Sequence, residues 1–367
     1  MGEVARAVEQ IECDDVLPIP PFEVETPCFV VLEDAVRHNL AKTIAGAGGK
    51  ARLMPHVKTH RARWLVELMV AEGVTAFKAA TPAEVEMALD GGAHHVVWAY
   101  PTANGAAIAR VAAAARQHAS VKVEALTDSS GGLAAWIKQL EAIPTRNVKL
   151  RIDLDPGLGR TGVPISAEGL RFARSVREVG LFAGWHAYDG HIQDRDLGVR
   201  RGRIADLAKR LRTFLGEARN AGLDGDLIAA GSYSFYLWPG DLARFVSPGS
   251  WTYSSAQHES DLADVGWRIA GYVLATVVSA RDGTATLDAG SKAISPDMPL
   301  TERFRGPGQI KLMKEEHTVI ASTDLTVGDR VALVPRHGCT AAYLYNRALV
   351  RGVDGCWDFR SQLGANR

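Results

Sequence analysis

Cysteine is scarce in this sequence, and its four cysteines are scattered. Cys13, Cys28, Cys339 and Cys356 are spread over 367 residues, and no two of them form a CxxC pair. Disulfide frameworks and four-cysteine zinc sites need cysteines at closer and more regular spacing. The cysteine pattern therefore predicts a protein of the reducing cytoplasm that has no disulfide framework.

An excess of charge of either sign is also absent. The 42 basic residues balance the 42 acidic residues, so no global field would attract nucleic acid or a membrane surface. No apolar run reaches the roughly 20 residues that cross a bilayer. Residues 1–25 lack the basic start and apolar centre of a signal peptide. We therefore expect no nucleic-acid partner and no membrane association.

Between residues 26 and 255 the sequence alternates short apolar runs with longer helical patterns. The apolar runs are 28–32, 51–54, 76–79, 95–99, 121–125, 148–152, 182–186 and 227–230, and the helical patterns include 34–47, 82–89, 104–117, 167–179 and 200–221. Eight or so such units predict an α/β fold, a (β/α)8 TIM-type barrel, which typically has ~250 residues. A doubly wound open sheet is the alternative, but no glycine-rich dinucleotide fingerprint follows the first strand.

The pattern changes near residue 256. Beyond it, strand-like runs alternate with Gly, Asp and Pro turns, and no convincing helix is present. Residues 256–367 therefore predict a smaller, mostly β C-terminal domain. Residues 1–25 are acidic and rich in proline, and we expect this N-terminal arm to join the β domain.

One lysine stands at a strand-to-helix corner, in the heptapeptide MPHVKTH at 54–60. Loops that follow the strands of an α/β fold build its active site, so Lys58 would point into the mouth of the barrel. His56 and His60 can hydrogen-bond a ligand or hold the local loop. A solvated surface lysine is the alternative interpretation.

Further candidate residues follow other predicted strands. Small residues, hydroxyls and backbone N–H groups at a helix start suit a phosphate, although ordinary turns have the same composition. A glycine-rich turn also carries an arginine, and another strand ends in a tyrosine. These candidates are Arg160, Tyr188, Gly231, Ser232, Tyr233 and Ser250.

A His-x-Cys motif, His337 and Cys339, directly follows the predicted strand 330–334. In an extended segment the two side chains project to one face. Imidazole nitrogen and thiolate sulfur suit zinc, and two protein ligands leave open positions for water or substrate oxygens. We predict a divalent metal here, with zinc favoured and manganese or magnesium possible.

These motifs together resemble the D-threonine aldolase and D-serine dehydratase family, fold type III pyridoxal-phosphate enzymes of the alanine-racemase type. The heptapeptide and His-x-Cys are the specific matches. The resemblance implies that Lys58 carries pyridoxal 5'-phosphate, that Lys58 and Tyr188 are catalytic, and that the barrels pair as a homodimer. It also implies a set of cofactor-binding residues: Lys58, His56, Arg160, Tyr188, Gly231, Ser232, Tyr233 and Ser250.

The function implied by the resemblance is a metal-assisted pyridoxal-phosphate-dependent lyase for D-β-hydroxy amino acids. Cys339 and Val57 favour a dehydratase for D-serine or D-3-hydroxyaspartate, which gives a keto acid and ammonia. D-threonine aldolase-type cleavage to glycine and an aldehyde is the close alternative. An amino-acid racemase has no use for His-x-Cys, and non-catalytic pyridoxal-phosphate-binding proteins usually lack a β domain.

Overall fold

A computed structural model of the chain describes residues 17–367. The strands are β1 (Cys28–Leu32), β2 (Ala76–Ala79), β3 (His95–Trp98), β4 (Lys122–Thr127), β5 (Val148–Asp155), β6 (Val163–Pro164), β7 (Phe182–Ala187), β8 (Asp226–Ala229), β9 (Ala243–Val246), β10 (Gly271–Arg281), β11 (Thr284–Leu287), β12 (Phe304–Arg305), β13 (Ile310–Met313), β14 (Thr318–Ala321), β15 (Arg330–Pro335), β16 (Arg347–Arg351) and β17 (Trp357–Ser361). The α-helices are α1 (Glu33–Ala47), α2 (Arg63–Ala71), α3 (Pro82–Asp90), α4 (Gly105–Gln117), α5 (Ser130–Ala142), α6 (Ala167–Glu178), α7 (Leu197–Asn220), α8 (Ala256–Asp261) and α9 (Gly338–Ala342). Short 3-10 turns span Lys50–Arg52, Ser250–Thr252, Ala263–Val265 and Leu300–Glu302.

A parallel sheet runs in the order β2-β3-β4-β5-β7-β8-β9, and the two-residue β6 pairs with the carboxyl end of β5. The segment 53–56 joins the two ends of this sheet. The Met54 N–H donates to the Val246 carbonyl (3.0 Å), and the Lys78 N–H donates to the Pro55 carbonyl (3.0 Å). The sheet therefore closes through the stretch that precedes Lys58, and the predicted TIM-type fold class is confirmed.

Polar capping residues fix where the outer helices begin. Thr81 accepts a hydrogen bond from the Glu84 N–H at the start of α3, and Pro82 takes the first helical position. Asn104 caps α4 through the N–H groups of Ala106 and Ala107. Such caps satisfy N–H groups that have no partner within the helix. They place the helix starts just after the strand ends, where the loops of the site lie.

The second sheet of the described residues follows the order β13-β14-β11-β10-β1-β16-β17, and β15 pairs with β10 and β12. Its central strand comes from the N-terminal part of the chain, because β1 is antiparallel to β10 and parallel to β16. The interpretation of 28–32 as the first barrel strand is therefore wrong. Every residue of β1 is buried, and a uniformly apolar run carries no sign of which sheet takes it up.

The remainder of the N-terminal region lies against the β domain. The Arg330 guanidinium donates to the carbonyls of Phe22 (2.7 Å) and Pro20 (2.9 Å), and the Tyr272 hydroxyl donates to the Pro18 carbonyl. The first part of the predicted arm, with Cys13, lies outside the described residues. No helix within residues 17–367 is long and apolar enough to cross a membrane.

The expectation of no helix after residue 256 is wrong at two places, α8 and α9. Both are too short to give a helical period in the sequence. His337 has extended backbone angles (φ −118°, ψ 97°) directly before α9, whereas Cys339 lies within its first turn. The two metal candidates are therefore not both on an extended segment.

The chain returns from the barrel to the β domain beside α1. Asn39 of α1 is fully buried, and its amide group donates to the carbonyls of Trp251 (2.9 Å) and Arg268 (2.8 Å). Its side-chain oxygen accepts from the Arg268 N–H (2.7 Å). One side chain thus holds both ends of the returning segment.

Candidate active site

A cavity of about 870 Å³ opens where the carboxyl ends of the barrel strands face the β domain. Side chains from both parts of the molecule line it. All the residues predicted to bind the cofactor or the metal line this cavity, whereas His60 does not. The cavity brings together His56, Lys58, Arg160, Tyr188, Gly231, Ser232, Tyr233, Ser250, His337 and Cys339.

The Lys58 corner is built from two buried histidines. His56 Nδ1 accepts from the Lys58 N–H (3.3 Å), and His60 Nδ1 accepts from the Ala62 N–H (3.1 Å). Burial lowers the pKa of His60 to about 3, and burial together with the Lys58 charge lowers the pKa of His56. Both rings are therefore neutral acceptors that hold the loop, while the Lys58 side chain is exposed to the cavity.

The Tyr188 ring lies at the centre of a group of cations. Its centroid is 6.0 Å from Lys58 Nζ, 5.6 Å from Lys78 Nζ and 5.1 Å from the Arg160 guanidinium carbon. A Cβ atom at Gly190 would lie 2.2 Å from this ring. Glycine at position 190 is therefore required for the tyrosine to occupy the floor of the cavity.

Below Tyr188, side chains from several strands form a buried hydrogen-bonded chain. Lys78 Nζ lies 2.7 Å from His186 Nε2, and His186 Nδ1 lies 2.7 Å from Asp153 Oδ1. Asp153 Oδ2 accepts from the Thr161 hydroxyl (2.8 Å). The sequence interpretation missed Lys78 and Asp153. Lys78 could have been identified because it is a lysine within the otherwise apolar strand run 76–79.

Small residues form a cradle on another wall. Ser232 Oγ accepts from the N–H groups of Gly249 (3.3 Å) and Ser250 (3.1 Å). A Cβ atom at Gly249 would lie 2.9 Å from the His56 carbonyl. Ser247 Oγ is buried and has no hydrogen-bond partner among the described residues. The hydroxyls, the unpartnered buried oxygen and the space kept open by Gly249 fit a phosphate group.

Tyr233 lines the cavity, but its hydroxyl is engaged elsewhere. It donates to Asp261 Oδ2 (2.7 Å) and accepts from Gln257 Nε2 (2.9 Å). Only the ring and backbone of Tyr233 are thus free to contact a ligand.

The His-x-Cys motif has a carboxylate behind it. His337 Nδ1 donates to Asp297 Oδ2 (2.6 Å), which leaves Nε2 as the available ring nitrogen. Metal-binding histidines commonly have this arrangement, because the second hydrogen bond fixes the tautomer and orients the ring. Asp297 lies in a turn 40 residues upstream, and no sequence signal marks it. Among residues 17–367, no group of three or more His, Cys, Asp or Glu side chains is placed to hold a metal ion.

His337 and Cys339 also perturb each other. The hydrogen bond with Cys339 raises the pKa of His337 to about 9. Burial raises the pKa of the Cys339 thiol, but the hydrogen bond and charge of His337 outweigh it and lower the pKa to about 7. The Thr59 hydroxyl lies 3.2 Å from Cys339 Sγ. A metal that bound here would have to displace the proton that His337 and Cys339 share. The sulfur lies beside Thr59, the residue that follows Lys58.

Solved structures with the same fold cover nearly the whole chain. D-threonine aldolase from Filomicrobium marinum superimposes with a TM-score of 0.83 at 24% identity, covering 92% of this chain and 95% of that chain. D-threo-3-hydroxyaspartate dehydratase from Delftia sp. HT23 gives 0.79 at 20% identity, covering 93% and 98%. A variant of that dehydratase with one cysteine changed to alanine has been solved in a metal-free form. Alanine racemase from Clostridium difficile 630, in complex with cycloserine, gives 0.73 at 12% identity, covering 93% and 100%.

Family models match both parts of the chain. Residues 270–351, which include the His-x-Cys motif, match the "Putative serine dehydratase domain". Residues 31–257, more than half of the chain, match "Alanine racemase, N-terminal domain". A comparison with curated protein sequences finds no match. The match over 31–257 agrees with the observed fold, a barrel with Lys58 at its mouth followed by a β domain. The chain belongs to the family of proteins with an alanine racemase N-terminal domain.

Proposed function

We propose that the protein is a pyridoxal-phosphate-dependent lyase that acts with a divalent metal on D-β-hydroxy amino acids. The observation that carries this proposal is the placement of Lys58 and the His337/Cys339 pair on one cavity. Thr59, the neighbour of Lys58, contacts Cys339 Sγ directly at 3.2 Å. A ligand whose amino group is held at Lys58 therefore has a metal-binding pair within reach of its side chain.

The residues present fit the cofactor. Lys58 offers an exposed amine for covalent attachment, and the cradle of Ser232, Gly249 and Ser250 suits its phosphate. When bound, the cofactor supplies an electron sink for charge that develops at Cα of the amino acid. Arg160 would face the pyridine nitrogen, as the resemblance implies. A guanidinium stays charged at all working pH values, so it would keep that nitrogen unprotonated.

The residues also fit a metal with two protein ligands. His337 Nε2 and Cys339 Sγ would hold it, and Asp297 would orient the imidazole. An ion bound there supplies Lewis-acid activation of the β-hydroxyl. The proposal of a metal is also supported by the D-threo-3-hydroxyaspartate dehydratase of the same fold, whose cysteine-to-alanine variant is described as solved in a metal-free form.

Lys58 is the residue that moves a proton in this proposal. Lys58 Nζ would be the base that takes the proton from Cα of the bound amino acid. Tyr188 and Arg160 line the cavity beside Lys58 and would orient the ring of the cofactor. His337 and Thr340 of the β domain line the same cavity as these residues of the barrel.

Dehydration is favoured over retro-aldol cleavage because Cys339 occupies the place where aldolases typically have aspartate. The D-threonine aldolase that shares this fold keeps the aldolase as the second candidate. Incubation with D-serine, D-threonine and D-threo-3-hydroxyaspartate distinguishes them. We expect ammonia and a keto acid. Glycine, glyoxylate or an aldehyde without ammonia would identify an aldolase.

Metal and cofactor can be tested separately. Chelation should abolish cleavage while the visible absorbance of the cofactor is retained, so full activity of the chelated protein contradicts the metal assignment. Lys58→Ala should remove the visible absorbance of the covalently held cofactor, whereas the surface control Lys138→Ala should keep it. The homodimer and the cytoplasmic location stay predictions, and light scattering of the purified protein tests the former.

A further inference from the structure

The cavity contains a second lysine besides Lys58. Lys78 lies on β2, its side chain lines the cavity, and only 3% of the residue is exposed. Its Nζ atom is 5.6 Å from the Tyr188 ring centroid, and Lys58 Nζ is 6.0 Å from the same centroid. Two amines therefore face the same aromatic ring from a shared cavity.

The hydrogen bonds around Lys78 determine where its proton can go. Asp153 accepts from His186 Nδ1, so Nε2 carries the lone pair that accepts from Lys78. Burial and the Lys78 charge lower the pKa of His186 to about 4. His186 therefore remains a neutral acceptor near pH 7, and a proton on Lys78 either stays there or leaves for the cavity.

The charges that surround Lys78 disfavour its cationic form. Besides His186 and Asp153, the charged or titratable groups that face it are His56, Lys58, Arg160, Tyr188 and Asp189. Burial, followed by repulsion from Lys58, lowers the pKa of Lys78 to about 7. Burial raises the pKa of Asp189, whose carboxylate accepts from Trp238 Nε1 (2.8 Å). The floor of the cavity thus has more potential cations than anions.

We propose that Lys78 is a second cofactor-facing lysine, which takes up a proton when the anionic cofactor enters the cavity. This inference rests on the proposed function, because the anion is the pyridoxal phosphate that Lys58 would hold. An anion close to a buried amine favours its charged form. Asp153 positions the amine through His186. The protonated Lys78 therefore keeps His186 as one acceptor, and its other N–H groups are available to the cofactor.

Proton counting tests this directly. Cofactor-free protein is titrated with pyridoxal phosphate by calorimetry at pH 8, in buffers that differ in ionisation enthalpy. We expect Lys78→Met to take up fewer protons than the unaltered protein, with a difference approaching about one proton per chain. The difference should shrink towards pH 6, where Lys78 is already protonated without the cofactor. Affinity for the cofactor should fall about tenfold as one favourable charge is lost.

Matched variants keep the result interpretable. Lys138→Met removes a lysine outside the cavity and should leave the proton count unchanged. Lys78→Gln provides a second neutral side chain if the methionine variant does not fold by circular dichroism. Equal proton counts for a Lys78 variant and the unaltered protein, both binding the cofactor, overturn this inference alone. Failure of the unaltered protein to bind the cofactor overturns the proposed function and this inference together.

Discussion

At the scale of single residues, Asp297 connects the His-x-Cys motif to the rest of the β domain. It accepts from His337 Nδ1 (2.6 Å), and the Thr340 hydroxyl donates to the same carboxylate (3.2 Å). One carboxylate therefore fixes both the ring of His337 and the first turn of α9. If His337 holds a metal, Asp297 should affect the metal affinity through the orientation of the imidazole, although it is not itself a proposed ligand.

Asp297→Asn should weaken metal binding about 10- to 100-fold, because the amide no longer holds the imidazole in one tautomer. Competition with a coloured chelator measures the affinity. The control is Asp324→Asn, an exposed carboxylate of the same domain, which should leave the affinity unchanged. Unchanged affinity in the Asp297 variant would show that His337 is oriented by other contacts.

A second residue-scale feature is the ion cluster inside the lower part of the barrel. Glu124 is fully buried and binds His95 Nε2 (2.8 Å), Lys122 Nζ (2.8 Å) and the Arg151 guanidinium. Arg151 also pairs with Asp226 (2.6 Å). Burial would raise the pKa of Glu124, but the hydrogen bonds and charges of His95 and Arg151 outweigh it and hold this pKa well below the usual range.

Glu124→Gln should lower the free energy of unfolding by about 3–5 kcal/mol at pH 7, because Arg151 loses a buried partner. A carboxyl with a lowered folded-state pKa stabilises the fold above its unfolded pKa, ~4.3, and loses that contribution as the pH falls through the folded-state value. In urea unfolding, the free energy of unfolding of Glu124→Gln should therefore be lower than that of the unaltered protein by the same amount at pH 7 and pH 5, and by a smaller amount below pH ~4.

The matched control for this cluster is Glu86→Gln, which removes a surface ion pair with Arg110. Exposed pairs contribute about 0–1 kcal/mol, so this variant should unfold nearly as the unaltered protein does. A deficit for Glu124→Gln no larger than that of the control would contradict the structural role of the cluster.

At the scale of elements, residues 362–367 connect the two halves of the site. The Leu363 N–H donates to the Arg61 carbonyl (2.7 Å), and the Arg61 guanidinium donates to the Asn366 carbonyl. The Gln362 amide group donates to the carbonyls of Ala342 (2.9 Å) and Tyr345 (2.7 Å). The segment therefore touches both the loop of Lys58 and the end of α9.

Removal of residues 363–367 should loosen the Lys58 loop. Arg61 has a positive φ of 50°, and losing its hydrogen bonds with Leu363 and Asn366 should cost about 1–3 kcal/mol locally. Hydrogen exchange at 57–62 should accelerate and cofactor affinity should fall, while the barrel strands keep their protection. The control is Arg212→Gln, which loses only a surface ion pair with Asp241. Unchanged exchange at 57–62 would show that the segment is not needed there.

Elements with strong local signals could be predicted from the sequence. The Thr81-Pro82 start marks α3, and the strand runs 76–79 and 148–152 fall on observed strands because short apolar runs alternate with helices. β1 could not be assigned to its sheet, since all its side chains are buried and no face is distinguished. Lys78 and Asp297 escaped notice because their roles depend on partners that are distant in sequence.

At the scale of the whole molecule, the β domain depends on a strand that precedes the barrel. β1 lies between β10 and β16, and Val30 and Val31 are fully buried there. A fragment of residues 256–367 would therefore expose two unpaired strand edges and an uncovered apolar face.

We expect this fragment to be unfolded or aggregated, as judged by circular dichroism and size exclusion. The same fragment with residues 17–33 joined through a flexible linker should recover β structure, because the central strand is restored. A stable, monomeric fragment 256–367 would show that the β domain does not need β1.

The placement of β1 and the hydrogen bonds of Asn39 restrict how the barrel and the β domain can move relative to each other. Two separate crossings of the chain tether the barrel to the β domain, one from β1 into α1 and the other from Trp251 to Arg268. Domains joined by a single linker can swing apart in any direction, whereas a doubly tethered pair can only hinge about the line through both tethers. The gap between the lysine that would hold the amino group and the pair that would hold the metal can thereby change only by this one hinge motion.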